Sequence, residues 1–385
     1  MPRKQPKKIR VEFRKNRLNR RRQNDFTRDA RSGDETDDLS KDERLTGKGD
    51  LTRRRTIVAD EGSDGGLLRT VDVDACRRGR VISAIGLTSL VETEAGERFE
   101  CTVRRVVRTM ARDQRNVVVT GDDVLFLPTG PKEGVIERVD PRRSTISRAS
   151  QRHEHIIVSN VDQAVIVISA DDPPLKPALI DRFLVSAEKG GVRGIVCINK
   201  CDLKSPVLLQ PLVGLYARLG YDVVLTSAST GRGIERLRSL LRDRETVFTG
   251  QSGVGKSSLL NLVQPGWQLK TGDVSGWTKK GTHTTRRAVL LRLDGGGWAV
   301  DTPGIRQMVL WDVRPEEVEG YFVEFRPFVA RCRFPDCTHT HESGCGIKQA
   351  MADDLISPMR YESYLRIIEG DEGITLGNDL EDPAN

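Results

Sequence analysis

No stretch of this chain approaches the roughly 20 consecutive apolar residues that a membrane-spanning helix needs, so no membrane partner is expected. Its first residues also lack the apolar run of a secretory signal, and their basic stretch holds too many lysines and too few serines to match a transit peptide. The expected location is the cytoplasm. There are 7 cysteines, an odd number, and three of them crowd between residues 332 and 345 beside histidines. That pattern argues against a disulfide framework and for reduced thiols around a metal. Nor does the fold need a covalent staple, because 385 residues are enough for two or three domains that each bury a core.

What is present in excess is positive charge, and it is concentrated at one end. Residues 1–31 carry 13 Lys or Arg against 3 Asp or Glu, so the rest of the chain is close to neutral despite a net charge of +7. A run such as Arg20, Arg21 and Arg22 with few apolar neighbours cannot bury enough surface to offset ordering. It reads either as a solubilising tail or as an arm for phosphate backbones, whose affinity would fall steeply with salt. Residues 32–50 then turn acidic (Asp34, Glu35, Asp37, Asp38, Asp42, Glu43), as in a flexible linker. Residues 1–65 are therefore expected to form a disordered extension.

From 66 to 148 short β-branched runs alternate with turn residues: Val71–Ala75, Gly79–Ile85, Ser89–Glu92, Arg98–Val107, Asn116–Val119, Asp123–Leu127 and Gly134–Val139. So many short strands predict a small closed all-β barrel of the OB-fold kind. Arg78, Arg80, Arg104, Arg105, Arg108, Arg112 and Arg115 punctuate it, which suits an oligonucleotide-binding surface or simply a charged exterior. A linker is expected over Arg142–His155. From 152 to 313 the pattern becomes alternating strands and helices, with the buried parallel strands Val161–Ser169 and Gly194–Asn199. Arg287–Leu293 and Gly297–Asp301 flank Asp294-Gly295-Gly296, a hairpin signal. A cysteine-rich helical piece follows over 314–368, then a polar tail over 369–385.

Gly250-Gln251-Ser252-Gly253-Val254-Gly255-Lys256-Ser257 fits G-x-x-x-x-G-K-[ST] between a predicted strand and a predicted helix, the context a phosphate loop requires. Its glycines let backbone N–H groups converge on phosphate oxygens at a helix N-terminus. Lys256 would reach the β- and γ-phosphates and Ser257 would place its hydroxyl on Mg²⁺. Asn199-Lys200-Cys201-Asp202 directly follows a buried strand and reads N-K-x-D. A carboxylate at Asp202 can accept from guanine N1–H and the exocyclic N2–H₂, a donor pair that adenine lacks, so adenine would leave it unpaired. Ser227-Ala228, at the end of the next strand, can offer a backbone N–H to guanine O6.

Asp301-Thr302-Pro303-Gly304 is D-x-x-G: Asp301 serves Mg²⁺ through water, and Gly304 N–H serves the γ-phosphate. Within the polar segment Trp267–Arg286, either Thr284 or Thr285 would be the second Mg²⁺ ligand, and His283 is the candidate to orient water, since Ile305 stands where many GTPases carry glutamine. These motifs come in rotated order, with N-K-x-D and S-A ahead of the phosphate loop. A circularly permuted α/β P-loop GTPase domain follows, whose second switch pulls directly on whatever comes next. What comes next is Cys332-x₄-Cys337-x-His339-x₅-Cys345, three thiolates and an imidazole that complete a tetrahedral, structural Zn²⁺ shell, with His341 as an alternative to His339.

Together, barrel, permuted motifs and Cys-Cys-His-Cys cluster resemble the circularly permuted, ribosome small-subunit-dependent GTPases of bacteria over about residues 66–365. The resemblance implies an OB barrel that contacts ribosomal RNA, a zinc-binding domain also contacting the subunit, and GTP hydrolysis during late maturation of the small ribosomal subunit, stimulated by that subunit. It matches Cys332, Cys337, His339 and Cys345 to the family's zinc ligands. A monomer that cycles between GTP and GDP is expected. Two other readings fit parts of the pattern: a nucleotide-gated RNA-binding module with negligible hydrolysis, and an ATP-driven P-loop machine, against which Asp202 argues.

Overall fold

The computed structural model describes residues 7–12, 54–61, 67–69, 71–86, 88–104, 107, 117–148, 155–267, 269, 288–301, 313 and 315–369. The expected arginines 105, 108, 112 and 115, the switch residues His283, Thr284 and Thr285, and Thr302, Pro303 and Gly304 all lie outside the described residues. Within the extension the chain differs from the expectation of general disorder. β1 (Lys7–Glu12) and β2 (Arg54–Glu61) pair antiparallel with Ile9 opposite Ile57, and β3 (Leu67–Arg69) pairs with β2. Ile9, Val11, Thr56, Ile57 and Val58 supply a β propensity that the charge count hides.

A closed five-stranded barrel follows: β4 (Arg77–Ile85), β5 (Thr88–Glu92), β6 (Arg98–Val103), β7 (Asp123–Pro128) and β8 (Glu133–Val139), in the order β4-β5-β6-β8-β7. β6 and β8 run parallel and β7 closes on β4, the OB-fold arrangement. Strict alternation in β6 sends Phe99, Cys101 and Val103 inward to meet Val81, Val91, Phe126 and Ile136. Two expected strands are not strands. Val71–Ala75 leads into a turn, and 117–119 only approach β10 through a bridge at Thr120; among the described residues neither run has a strand beside it to complete a ladder. The expected linker instead holds β9 (Thr145–Arg148) and β10 (His155–Ser159), which pair antiparallel.

The next domain is a six-stranded sheet of β11 (Gln163–Ser169), β12 (Arg193–Asn199), β13 (Asp222–Leu225), β14 (Glu245–Thr249), β15 (Val289–Arg292) and β16 (Trp298–Asp301). Their order is β13-β12-β11-β14-β16-β15, parallel except for the edge strand β15. All seven residues of β11 are buried, as a central strand covered on both faces demands. One face packs on α1 (Pro177–Lys189) and α2 (Pro206–Arg218), the other on α3 (Ile234–Leu241) and α4 (Lys256–Val263). The C-terminal domain comprises α5 (Pro315–Tyr321), α6 (Arg326–Val329), α7 (Gly346–Ala352) and α8 (Pro358–Ile368) around Phe322, Phe325 and Tyr364. Among the described residues no helix is long and apolar enough to cross a membrane.

Polar contacts weld these parts together. Arg80 of the barrel forms an ion pair with Glu245, the first residue of β14, and donates to Asn160 O at 3.1 Å. It is therefore spent on a domain junction instead of lying free for an oligonucleotide, and Arg104 is paired with Glu137. Asp122 is fully buried and accepts from Arg142 Nε at 2.7 Å, Arg142 Nη2 at 2.9 Å and Ser159 Oγ at 2.6 Å. Thr120 Oγ1 donates to Ala288 O at 3.0 Å, which fixes the start of β15 to the barrel.

Candidate nucleotide site and metal centre

Every described motif residue except those of the cysteine cluster lies at the carboxyl ends of the parallel strands, where doubly wound sheets bind ligands. Asn199 ends β12, the Thr226-Ser227-Ala228 turn follows β13, the phosphate loop follows β14, and Asp301 ends β16. Permutation has moved the chain breaks without moving these ends.

One side chain joins three of the motifs. Asn199 is fully buried; its Nδ2 donates to Val254 O in the phosphate loop at 2.8 Å, and its Oδ1 accepts from Thr226 Oγ1 at 3.1 Å. Cys201 N donates to Thr226 O at 3.1 Å, so the N-K-x-D loop is sewn to the end of β13 by backbone as well. Thr226 was not singled out from the sequence; a hydroxyl immediately before S-A is the only local signal that it carries. The loop packs so closely that a Cβ on Gly255 would sit 2.4 Å from Asn199 Nδ2, and Gly255 holds φ at 93°, a left-handed value that favours glycine. Gly250 and Gly253 also adopt positive φ, and Val254 is buried beneath them.

At the guanine end, Lys200 takes φ of 56° and its Nζ donates to Asp172 O at 2.5 Å. Asp202 is exposed and its Oδ2 accepts from Ser229 Oγ at 3.0 Å, while Ser227 Oγ lies 2.9 Å from Ser229 Oγ. Hydrogen bonding by the Ser227 hydroxyl, with the local backbone and Ser229 adding to it, holds the Asp202 carboxyl below the usual carboxylate range. An acceptor that stays charged throughout the neutral range is what two N–H donors of guanine require. At the phosphate end Lys256 Nζ donates to Gly250 O at 2.7 Å and to Gln251 O at 2.6 Å, and Ser257 lies half-buried in the first turn of α4. Gln251 is half-buried, Ser252 exposed and Ala228 half-buried beside them.

The cysteine cluster lies apart, in the C-terminal domain. Cys332, Cys337, His339 and Cys345 present one ligand atom each within 4.8 Å of one another, so they could hold a metal ion. His339 Nδ1 is 3.5 Å from Cys332 Sγ and 3.4 Å from Cys345 Sγ, which makes Nδ1 the nitrogen aimed at the thiols. His341 points elsewhere, with Nδ1 2.9 Å from Thr340 Oγ1, so the geometry separates the two histidines that spacing left open. Gly346 N and Lys348 N approach the Cys332 and Cys345 sulfurs at 3.3 and 3.5 Å. Three soft sulfur donors and one imidazole suit Zn²⁺ better than a hard cation.

A family model described as RsgA GTPase matches residues 139–311. Over 303 residues the chain is 41% identical to the small ribosomal subunit biogenesis GTPase RsgA of Chlorobaculum parvum, an alignment that spans 76% of this chain and 97% of that protein. It is also 41% identical over 290 residues to the protein of that name from Moorella thermoacetica, covering 75% of this chain and 96% of the relative. Among solved structures, YjeQ from Thermotoga maritima superposes with a TM-score of 0.63 at 37% identity, covering 76% of this chain and 98% of its own. YloQ, a circularly permuted GTPase, superposes at 0.60 and 30% identity, with 78% and 96% covered.

Proposed function

Because this chain belongs to the RsgA GTPase family, a family of GTP-hydrolysing enzymes, we propose that it hydrolyses GTP during small ribosomal subunit biogenesis, in the pocket built around Asn199. The observation that carries the reading is the bridge from Asn199 to Val254 and Thr226, which holds the base-reading loop and the phosphate loop in one rigid frame. Asp202 then accepts from the guanine edge, Lys200 and the turn at Ser227-Ala228 flank the base, and the amides of residues 250–257 hold the phosphates. Lys256 neutralises charge between the β- and γ-phosphates. Mg²⁺ would be held by Ser257, by Asp301 through water and by Thr284 or Thr285, and it supplies charge neutralisation on the transferring phosphoryl group.

The finer parts of the proposal concern the partner. The barrel binds ribosomal RNA, the subunit stimulates turnover, and Cys332, Cys337, His339 and Cys345 hold a structural Zn²⁺. Since Arg80 is largely withdrawn into its ion pair with Glu245, the RNA-facing charge of the barrel comes from more exposed basic residues, with Arg78 among them. His283 orients the attacking water when the subunit is bound. His283→Ala should lower the subunit-stimulated single-turnover rate and leave GDP affinity unchanged; an unaltered stimulated rate removes His283 from the mechanism.

Asp202→Asn tests the pocket. Losing the charged acceptor and presenting an amide N–H to the guanine donors should weaken GTP binding roughly 100-fold or more, as when a polar site loses its matching partner. Competition of GTP against ATP, followed by a fluorescent GDP analogue, measures it. Unchanged discrimination would mean that guanine is read elsewhere. With the Asp202 carboxyl held low, the preference for GTP over ATP, in which titration of the shared triphosphate cancels, should be flat from pH 8 down to 5 and fall only in stronger acid as that carboxylate takes up a proton.

A further inference from the structure

The imidazole of His339 is fully buried, and while its Nδ1 faces Cys332 and Cys345, its Nε2 lies 2.5 Å from Glu319 Oε2. The two ring nitrogens therefore have separate duties, one toward the thiols and one toward a carboxylate from another element. Glu319 belongs to α5, the first described helix after the D-x-x-G segment that opens at Asp301. The same helix leans on the GTPase domain: Val318 shares a core with Val185 of α1, and Glu317 lies 3.7 Å from Lys189 at the end of α1. His339 itself sits at φ of 60°, a left-handed backbone in which its carbonyl accepts from Tyr361 Oη at 2.6 Å. Ring and backbone are thus both clamped, and the carboxylate is the clamp on the ring.

We propose that Glu319 is the positioning residue of the metal centre, holding His339 with Nδ1 toward the metal, and that through this contact metal occupancy holds helix Pro315–Tyr321 in place. The inference rests on the reading that the four ligands bind zinc. A carboxylate accepting from the distal N–H selects the tautomer whose other nitrogen is a lone-pair donor, and it makes that nitrogen more basic; removing such a partner weakens metal binding about 10- to 100-fold. The consequence for the fold is that α5 has two anchors, the GTPase domain through Val318 and the metal centre through Glu319.

The test uses full-length protein and zinc alone. Zinc affinity is measured by competition with a chromophoric chelator, and backbone hydrogen exchange is followed over residues 315–321. Glu319→Ala should weaken zinc binding 10- to 100-fold, and Glu319→Gln, whose amide oxygen still accepts from Nε2–H, should lose less. Exchange over 315–321 should rise in zinc-stripped wild type and in Glu319→Ala with zinc at a concentration that saturates only the wild type. Wild-type zinc affinity in both variants, or exchange over 315–321 that ignores zinc, overturns the role of Glu319 alone. Wild-type protein that binds no stoichiometric zinc overturns the metal reading itself.

Discussion

Lys256→Ala is expected to slow GTP hydrolysis about 100- to 1,000-fold while the protein stays folded, the size of effect seen when one preorganised donor to a developing negative charge is removed. Phosphoryl transfer asks the protein for position and charge more than for covalent chemistry, so a fixed ammonium is among the largest contributions that one side chain can make. Its preorganisation is visible: carbonyls of Gly250 and Gln251 fix Nζ over the loop that α4 extends. Those bonds lie within one loop and contribute about 1 kcal/mol each, small beside the catalytic loss. Lys256→Arg should rescue poorly, because a planar fork cannot occupy the place of a compact point charge. Phosphate release in a single turnover at saturating GTP measures the effect. A loss of less than tenfold would show that the ammonium does not sit against the reacting phosphate.

Much of this architecture was legible because its signals are local. A glycine-rich loop after a strand, N-K-x-D after another and four candidate metal ligands within one short segment each carry their meaning locally, and the rotated order of the nucleotide motifs alone pointed to permutation. The barrel was legible as a set of β-branched runs, although Val71–Ala75 has strand composition and no strand partner among the described residues, while the expected linker contains a paired β9 and β10. Pairing is a property of two segments, and a run read by itself cannot report it. Arginines misled for the same reason. Arg80 looked like part of an oligonucleotide surface because nothing near it in sequence reveals Glu245, 165 residues away, as its partner. Glu319 and Thr226 were equally silent, each being an ordinary polar residue until the chain brings His339 or Asn199 beside it.

The junction between the GTPase domain and the C-terminal domain supplies the other large effect, on stability. Arg360 of α8 is almost wholly buried; Nη1 donates to Asp181 Oδ1 of α1 at 2.6 Å, while Nε and Nη2 donate to the two Glu324 oxygens at 2.5 and 3.1 Å. Tyr216 of α2 donates to the same Asp181 oxygen at 2.6 Å, and the guanidinium lies 4.4 Å from the centre of the Phe322 ring. One cation thus serves two carboxylates from two domains, next to the helix that follows N-K-x-D. Arg360→Met keeps much of the apolar contact but strands both carboxylates, and removing one partner of such a buried cluster costs about 3–5 kcal/mol. Burial already raises the Asp181 carboxyl above its ordinary range, opposed chiefly by Arg360. Without that opposition the carboxyl rises further, so in the variant its folded value lies above its unfolded one and the stabilising form is the protonated one. Stability should therefore recover as pH falls: urea unfolding should find the variant less impaired, relative to wild type, at pH 5.5 than at pH 8. An equal deficit at both pH values, or a loss under about 1 kcal/mol, the size of an exposed ion pair, would mean that water reaches these carboxylates and that this cluster does little to join the two domains.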